Sequence, residues 1–255
     1  MALNDEEKFQ FDLEGYLVIK NVLSKGKCEA LSAMADEAWP RQPDDGPFRR
    51  TADVSRWGKP FLDLMDHPKV LPYLVELLGR AVRIDHDYCI FMRKGAPGGT
   101  IHGGPRRIEG DHWYDYYDGV MRNGLTVATW ILTDAAEGDG GFICIPGSHK
   151  TNLMMNLPPD VREQKRDPHY VVQPSVEAGD VLIFTEALMH GTRAWSASHE
   201  RRTLLYKYSP GYQSWSRTYY HLDDYAEATE QQRRLMAPPS IEKHPRVIDE
   251  NEDRA

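Results

Sequence analysis

The stretch AGDVLIFTEALMHGT, residues 178–192, contains the clearest fold signal in the chain. Its apolar run Val181–Phe184 follows a Gly-Asp turn signal and has the length and β-branched content of a buried strand. Similar short apolar runs recur after Gly79, separated by Gly, Pro and Asp: residues 82–92, 125–132, 141–145, 170–172, 181–184 and 202–208. This spacing is typical of a β-sandwich or barrel.

The first 80 residues show a different pattern. Apolar residues recur at helical spacing over residues 28–39, and a second predicted helix over 68–78 ends at Gly79. Residues 16–19 predict a short strand, and the polar segment 41–60 predicts a loop. We therefore expect a mainly β fold with flanking α-helices, in a single domain over residues 1–255. In chain order it should contain a helical N-terminal region (residues 1–80), a β core (residues 81–215), and a C-terminal helix and tail (residues 225–255).

Composition limits the classes of partner. The net charge of −8 disfavours nucleic acid, because phosphate binding needs an excess of basic residues. The three scattered cysteines form no CxxC pair and indicate neither a disulfide framework nor a zinc knuckle. The acidic N-terminus lacks signal-peptide features, and no apolar run reaches the roughly 20 residues that span a bilayer. We expect a cytoplasmic protein with a small-molecule substrate and no membrane partner; a homodimer is left open.

Three side chains after Gly79 point to metal and anion chemistry. His102 lies in a glycine-rich loop, and His190 follows the strand at 181–184. Imidazoles at two strand ends can converge on iron, copper, nickel or zinc. Arg201 lies one hairpin beyond His190, where its guanidinium can bind a carboxylate through two hydrogen bonds. Arg202 competes for this role, because strand alternation turns only one of the two arginines inward, and the strand pattern leaves both open.

These segments together resemble the phytanoyl-CoA dioxygenase family of iron(II)- and 2-oxoglutarate-dependent oxygenases. The combination of IPGSHK at 145–150 with GDVLIF and HGT at 179–192 carries the resemblance, which extends from GYLVIKNVLS to RRTLLYKYSPG. It implies a double-stranded β-helix (a jelly roll) with helices outside, and oxidation of an aliphatic C–H bond with Fe(II), 2-oxoglutarate and O2. It also implies that His102 and His190 bind iron, and that Arg201, assisted by Thr192, binds the far carboxylate of 2-oxoglutarate.

Gly104 departs from the family pattern, in which Asp or Glu two residues after the first histidine completes the iron site. A glycine here resembles the halogenases of the superfamily, where chloride takes the vacated position. Gly104 is therefore a candidate catalytic position, with a slight preference for halogenation and chloride as an optional ligand. A hydroxylase remains an alternative, with two histidines alone or with a carboxylate from Asp111, Asp115 or Asp139. Gly104 is also compatible with a simple turn that needs a positive φ. A further alternative for the whole protein is a non-catalytic jelly roll that binds a ligand or metal.

Aromatic residues supply candidates for a substrate pocket. The run DHWYDYYD, residues 111–118, is both aromatic and acidic, and it predicts either a lid or an ordinary packed loop. Trp195, Trp215, Tyr219 and Tyr220 are further candidates for the mouth of the cavity. The sequence does not define the substrate.

Overall fold

The computed structural model describes residues 3–39, 46–106 and 110–248; the predicted tail beyond 248 lies outside these ranges. The helices in these ranges are α1 Asp5–Glu14, α2 Lys25–Ala38, α3 Lys59–Leu62, α4 Leu71–Leu78, α5 Pro159–Arg162 and α6 Glu230–Leu235. The strands are β1 Tyr16–Ile19, β2 Phe48–Ala52, β3 Val82–Met92, β4 Tyr114–Tyr117, β5 Val120–Asn123, β6 Thr126–Ile131, β7 Gly141–Cys144, β8 Val181–Thr185, β9 His190–Arg193 and β10 Arg201–Pro210. No helix in the described ranges is both long enough and apolar enough to cross a bilayer.

The strands form a jelly roll built from antiparallel pairs. Six of them make the main sheet, in the order β1-β8-β6-β10-β3-β2. Strands β7 and β9 form a smaller sheet, and β4 and β5 form a separate hairpin. The fold is thus mainly β with flanking helices, as the sequence predicts.

The two faces of β10 contact different layers of the molecule: one face packs on the helices and the other faces the interior of the jelly roll. Tyr206 and Tyr208 face the helical layer, where their hydroxyl groups donate to the carbonyl oxygens of Phe61 and Met65 at 2.7 and 2.8 Å. Leu205, on the other face, packs in a cluster with Cys144 of β7. Because successive strand residues point to opposite faces, Arg201, Thr203, Leu205 and Lys207 share the interior of the jelly roll.

Two predictions about residues 41–60 and 170–172 are wrong. The described portion of the first segment contains β2, an edge strand on β3, which its polar sequence FRRTA does not reveal. The second segment contains no strand, only a bridge in which Val172 exchanges two backbone hydrogen bonds with Cys144. Pro168 and Pro174 flank this bridge and lack the N–H groups needed to extend a ladder.

Helix α1 lies in the predicted helical N-terminal region, but it precedes the two helices that were predicted individually. Asn4 caps it by accepting a hydrogen bond from the Glu7 backbone N–H, and the Glu7 side chain accepts one from the Asn4 backbone N–H in return. Gly15 ends it with a φ of 83°. These capping residues were a usable local signal in the sequence.

A buried ion pair fixes the C-terminal segment against the main sheet. Arg83 Nη1 lies 2.8 Å from Asp85 Oδ2, and neither side chain is exposed. Asp85 also accepts hydrogen bonds from the backbone N–H groups of Trp215 and Ser216 at 2.9 and 3.0 Å. Burial raises the pKa of Asp85, but its contacts with His86, Trp215 and Arg83 outweigh burial and lower the pKa to about 2.

We expect Asp85→Asn to lose a stabilising contribution that depends on pH. A depressed folded-state pKa stabilises the protein above about pH 4, and this contribution disappears as the pH falls toward 2. The wild type should therefore lose about 2 kcal/mol of unfolding free energy relative to Asp85→Asn over that interval. Urea unfolding at several pH values measures this difference, with exposed Asp115→Asn as the control. A constant difference between wild type and Asp85→Asn would contradict the expectation.

Candidate metal centre and co-substrate pocket

The fold brings together the two histidines singled out in the sequence. His102 and His190 pair as an isolated antiparallel bridge. The His102 backbone N–H donates to the His190 carbonyl at 2.7 Å, and the His190 N–H donates to the His102 carbonyl at 2.9 Å. Their ring centroids lie 4.4 Å apart. The backbone itself therefore sets the separation of the two imidazoles.

Hydrogen bonds define which nitrogen of each ring is available. His190 Nδ1 lies 2.7 Å from the Leu188 carbonyl oxygen, and His102 Nδ1 lies 2.9 Å from the Thr100 carbonyl oxygen. A carbonyl oxygen only accepts, so each Nδ1 carries the proton and each Nε2 keeps its lone pair. Metal-binding histidines typically have this arrangement. Burial, which is the main influence, lowers the pKa of His190 to about 4, and its ring is therefore neutral at pH 7.

The surroundings of the two rings differ. His190 is only 6% exposed, with the rings of Phe184 and Phe142 at centroid distances of 4.7 and 6.0 Å. His102 is exposed. The pair thus lies at the rim of the jelly-roll interior, with an apolar wall behind His190 and an open side at His102.

The glycines after His102 are required by the backbone. Gly103 and Gly104 have φ values of 77° and 99°, which side chains rarely adopt. A Cβ on Gly103 would lie 2.5 Å from the Leu188 carbonyl oxygen. A Cβ on Gly104 would lie 3.2 Å from the end of Met154 and 3.4 Å from Met189 Cγ. The methionine side chains are flexible, so the positive φ of Gly104 is the stronger reason for a glycine at this position.

The carboxylates proposed from the sequence have different environments. Asp115 is exposed on β4, and Asp139 accepts a hydrogen bond from the Ala136 backbone N–H at 2.9 Å. Asp111 Oδ1 lies 3.5 Å from His112 Nε2, and burial raises the pKa of Asp111. None of these observations connects Asp115 or Asp139 with the histidine pair.

Glu186, which is absent from the sequence-based candidates, is a buried carboxylate beside His190. Its Oε2 is 3.8 Å from His190 Nε2 and also 3.8 Å from His112 Nε2. Its Oε1 accepts a hydrogen bond from Lys207 Nζ at 2.6 Å. The local sequence TEALMH, residues 185–190, was the usable signal, since it places this glutamate just before His190. As the side chains stand, no three His, Cys, Asp or Glu residues within the described ranges form a ready metal-binding group.

Glu186 carries a negative charge inside the protein. Burial raises the pKa of Glu186, but the charge of Lys207 and its hydrogen bond outweigh burial, so the net pKa is far below the usual range. Burial likewise lowers the pKa of Lys207, while Glu186 and Tyr88 raise it to about 12 overall. The two side chains therefore form a buried ion pair beside His190.

Arg201 and Arg202 have opposite environments. Arg201 is 5% exposed, and it donates a weak hydrogen bond from Nη1 to Met92 Sδ at 3.5 Å. No carboxylate among the described residues pairs with it, and burial lowers its pKa to about 10. Arg202 instead forms ion pairs with Asp36 and Glu200 at 2.7 and 2.8 Å.

A small cavity adjoins the Arg201 guanidinium. Thr129, Thr203 and Phe142 contribute to its lining. Gly141 makes room for the arginine, because a Cβ there would lie 2.7 Å from Arg201 Nε. Phe142 also lies beside the His190 ring, so this residue borders both the cavity and the histidine pair. Thr192 pairs with Phe142 in the β7–β9 ladder and shares the face of His190.

The aromatic candidates divide between the surface and the core. The run 111–118 includes β4, whose Tyr116 and Tyr117 are each 62% exposed. Trp195 is 1% exposed and packs in the core, so its assignment to the cavity mouth is wrong. Trp215 stacks on His86 at 4.9 Å, and a cavity of about 210 Å³ beside His86 is lined by Tyr219 and Tyr220.

Comparison with known proteins identifies the family of the chain. Residues 11–203 match the family described as phytanoyl-CoA dioxygenase (PhyH), and the chain belongs to that family. Dioxygenase af480 of Aspergillus fumigatus is 26% identical over 223 residues, covering 82% of this chain and 67% of the relative. As a member of this family, the chain is an iron(II)- and 2-oxoglutarate-dependent oxygenase that uses O2.

Solved structures share the fold. HygX from Streptomyces hygroscopicus, crystallised with nickel and 2-oxoglutarate, has a TM-score of 0.75 at 24% identity, covering 84% of this chain and 90% of HygX. SnoK, a non-heme α-ketoglutarate-dependent carbocyclase from nogalamycin biosynthesis, has a TM-score of 0.63 at 19% identity, covering 82% and 85% of the two chains. At these identities the likeness concerns the jelly-roll architecture.

We expect unequal costs for alanine at the two glycines after His102. Gly104→Ala should cost about 2 kcal/mol of unfolding free energy, since its φ is strained but the nearest atoms are flexible methionine ends. Gly103→Ala should cost more, because the obstructing atoms are backbone carbonyl oxygens. Urea unfolding measures both losses. Gly99→Ala is the control, since a Cβ there meets nothing within 4 Å; an equal loss in all three variants would refute this account.

Proposed function

We propose that this oxygenase oxidises an aliphatic C–H bond of a polar small molecule, with hydroxylation as its outcome. In this proposal His102 and His190 hold the iron, and Arg201 and Thr192 hold the far end of 2-oxoglutarate. One observation carries the proposal. Two available Nε2 atoms lie at the rim of the jelly roll, and a buried arginine without a carboxylate partner among the described residues lies further inside.

The residues present fit these cofactors. Both histidines are held by carbonyl oxygens so that Nε2 is the ligating atom, and neutral imidazole suits iron. When bound, the iron and 2-oxoglutarate supply the activation of O2 and the oxidising power. The protein's own contribution is to hold the two rings in register and to keep water from the apolar wall formed by Phe142 and Phe184.

Arg201 suits a carboxylate because its charge is otherwise uncompensated. Burying a cation is costly unless an anion pairs with it. A carboxylate of 2-oxoglutarate can accept two parallel hydrogen bonds from the guanidinium. Thr203 and Thr129 add hydroxyl groups to the same cavity. Arg202 is less suitable, since Asp36 and Glu200 already compensate its charge.

The substrate pocket that we propose lies beside His86. Lys207 and His86 are paired residues of neighbouring strands, and Lys207 bonds to Glu186 near the histidine pair. The cavity of about 210 Å³ next to His86 is lined by Asp53 and Asp224 together with Tyr219 and Tyr220. Carboxylates and phenol rings suit a molecule with hydroxyl or amino groups. Hygromycin B, bound by HygX in one of its structures, is a compound of this polar kind.

Halogenation is the second candidate, and Gly104 is the observation that favours it. Two findings support hydroxylation instead. The positive φ at Gly104 explains the glycine without a halide, and ionised Glu186 near His190 Nε2 would repel a chloride ion at a neighbouring position. We therefore expect product formation that does not depend on chloride.

Succinate release tests the enzyme proposal directly. Iron-loaded protein should convert 2-oxoglutarate to succinate in air, at an equal rate with and without chloride. His190→Ala should abolish succinate release, because it removes a ligand, while the distant exposed variant Asp115→Asn should retain it. Quantification of succinate by mass spectrometry gives the rates. Metal-loaded wild type that releases no succinate would favour a non-catalytic binding protein, and an absolute chloride requirement would favour halogenation.

A matched pair of arginine variants tests the co-substrate pocket. Arg201→Gln should weaken 2-oxoglutarate binding at least about 30-fold, since it removes a buried charge-assisted contact. Arg202→Gln should leave that affinity within a few-fold, because its partners lie on the helical side. Calorimetric titration of 2-oxoglutarate into nickel-loaded protein measures both affinities. Equal losses in the two variants would contradict the assignment of Arg201.

A further inference from the structure

We propose that Glu186 supplies the carboxylate ligand of the metal centre that position 104 does not provide. This inference rests on the proposed metal site at His102 and His190. It gives the centre two imidazoles and one carboxylate, although the carboxylate comes from the turn before His190 rather than from the loop after His102. The donor set is then the one typical of non-heme iron(II) oxygenases.

The measured separation is compatible with a shared ion. Two donors at about 2.1 Å from one ion lie about 3.0 Å apart at a right angle and about 4.2 Å apart on opposite sides. Glu186 Oε2 and His190 Nε2 are 3.8 Å apart, within this interval. The His102 ring, whose centroid lies 4.4 Å from that of His190, would supply the third donor.

The backbone holds Glu186 in this place. Its N–H donates to the Leu125 carbonyl oxygen at 2.8 Å, which anchors the turn between β8 and β9 to the main sheet. The Glu186 carbonyl oxygen lies 2.9 Å from the point where a Gly103 side chain would begin. The glycine loop, the glutamate turn and His190 therefore pack as one unit.

Lys207 divides the roles of the two carboxylate oxygens. It donates to Oε1 at 2.6 Å, and this leaves Oε2 as the oxygen directed to the histidines. Lys207 also compensates the charge of this carboxylate in a position where only 4% of the Glu186 side chain is exposed. A negatively charged oxygen is the form that binds a divalent cation.

His112 is the rival ligand at this site. Its Nε2 lies 3.8 Å from the same Glu186 oxygen, and its buried Nδ1 has no hydrogen-bond partner among the described residues. Metal-binding histidines usually fix the second nitrogen with a hydrogen bond, as His102 and His190 do. His112 lacks that support, so Glu186 is the better candidate.

Cobalt(II) binding distinguishes these possibilities without enzyme turnover. Calorimetric titration of Co(II), without 2-oxoglutarate and in a carboxylate-free buffer, should show at least about a tenfold loss of affinity in Glu186→Gln. His112→Gln, the matched control, should bind Co(II) within a few-fold of the wild type. Circular dichroism verifies that both variants are folded.

Infrared difference spectra separate a ligand from a residue that merely positions His190. Adding Co(II) to the wild type should shift a carboxylate band, and that shift should be missing in Glu186→Gln. Co(II) binding to the wild type without such a shift would overturn the inference but remain consistent with a site formed by the two histidines. A loss of Co(II) affinity in His112→Gln alone would also overturn the inference. Failure of the wild type to bind Co(II) would overturn the proposed metal site as well.

Discussion

The pair of backbone hydrogen bonds between His102 and His190 is the constraint on which the centre depends. It joins a loop that follows β3 to the first residue of β9, and so fixes two side chains distant in sequence at a ring separation of 4.4 Å. This contact requires glycine at position 103, because a Cβ there would lie 2.5 Å from the Leu188 carbonyl oxygen. A conformational requirement of the backbone and the close approach of the two imidazoles thus coincide in one turn.

Strand alternation separates chemistry from scaffolding in the main sheet. On β10 the interior face carries Arg201 and Lys207, while the opposite face carries Arg202 and the tyrosines that bond to the helical layer. The two adjacent arginines therefore have different surroundings. Arg201 is buried and its pKa is lowered, whereas two carboxylates compensate the charge of Arg202. A shift of one residue in register would exchange these roles.

Among the described residues, the buried cations Arg83 and Lys207 have carboxylate partners, and Arg201 is an exception to this pattern. Arg83 pairs with Asp85 and Lys207 pairs with Glu186, and the two carboxylates remain ionised although burial opposes it. Arg201 is buried without a carboxylate partner among the described residues. Since a buried charge is costly unless compensated, this exception suits a binding partner that brings its own negative charge, and the co-substrate of this family is a dicarboxylate.

The sequence by itself determined the class of fold and much of the candidate site. Local sequence was enough to predict strands β3 and β8 from the apolar runs at 82–92 and 181–184, and to predict the end of α4 from Gly79. Strand and helix periods are properties of neighbouring residues. His102, His190 and Arg201 were found from residue type, spacing and family resemblance. The edge strand β2 was not, since its polar residues acquire strand structure only by pairing with β3.

Only the tertiary structure decided which side chains meet. Arg201 differs from Arg202 because of the face that β10 turns inward, and Glu186 lies beside His190 because β8, β9 and the glycine loop pack together. The direction of a side chain at position 104 likewise follows from a φ of 99° that no residue pattern states. Local periodicity specifies elements, whereas contacts between them depend on long-range pairing and on backbone angles fixed by the whole fold.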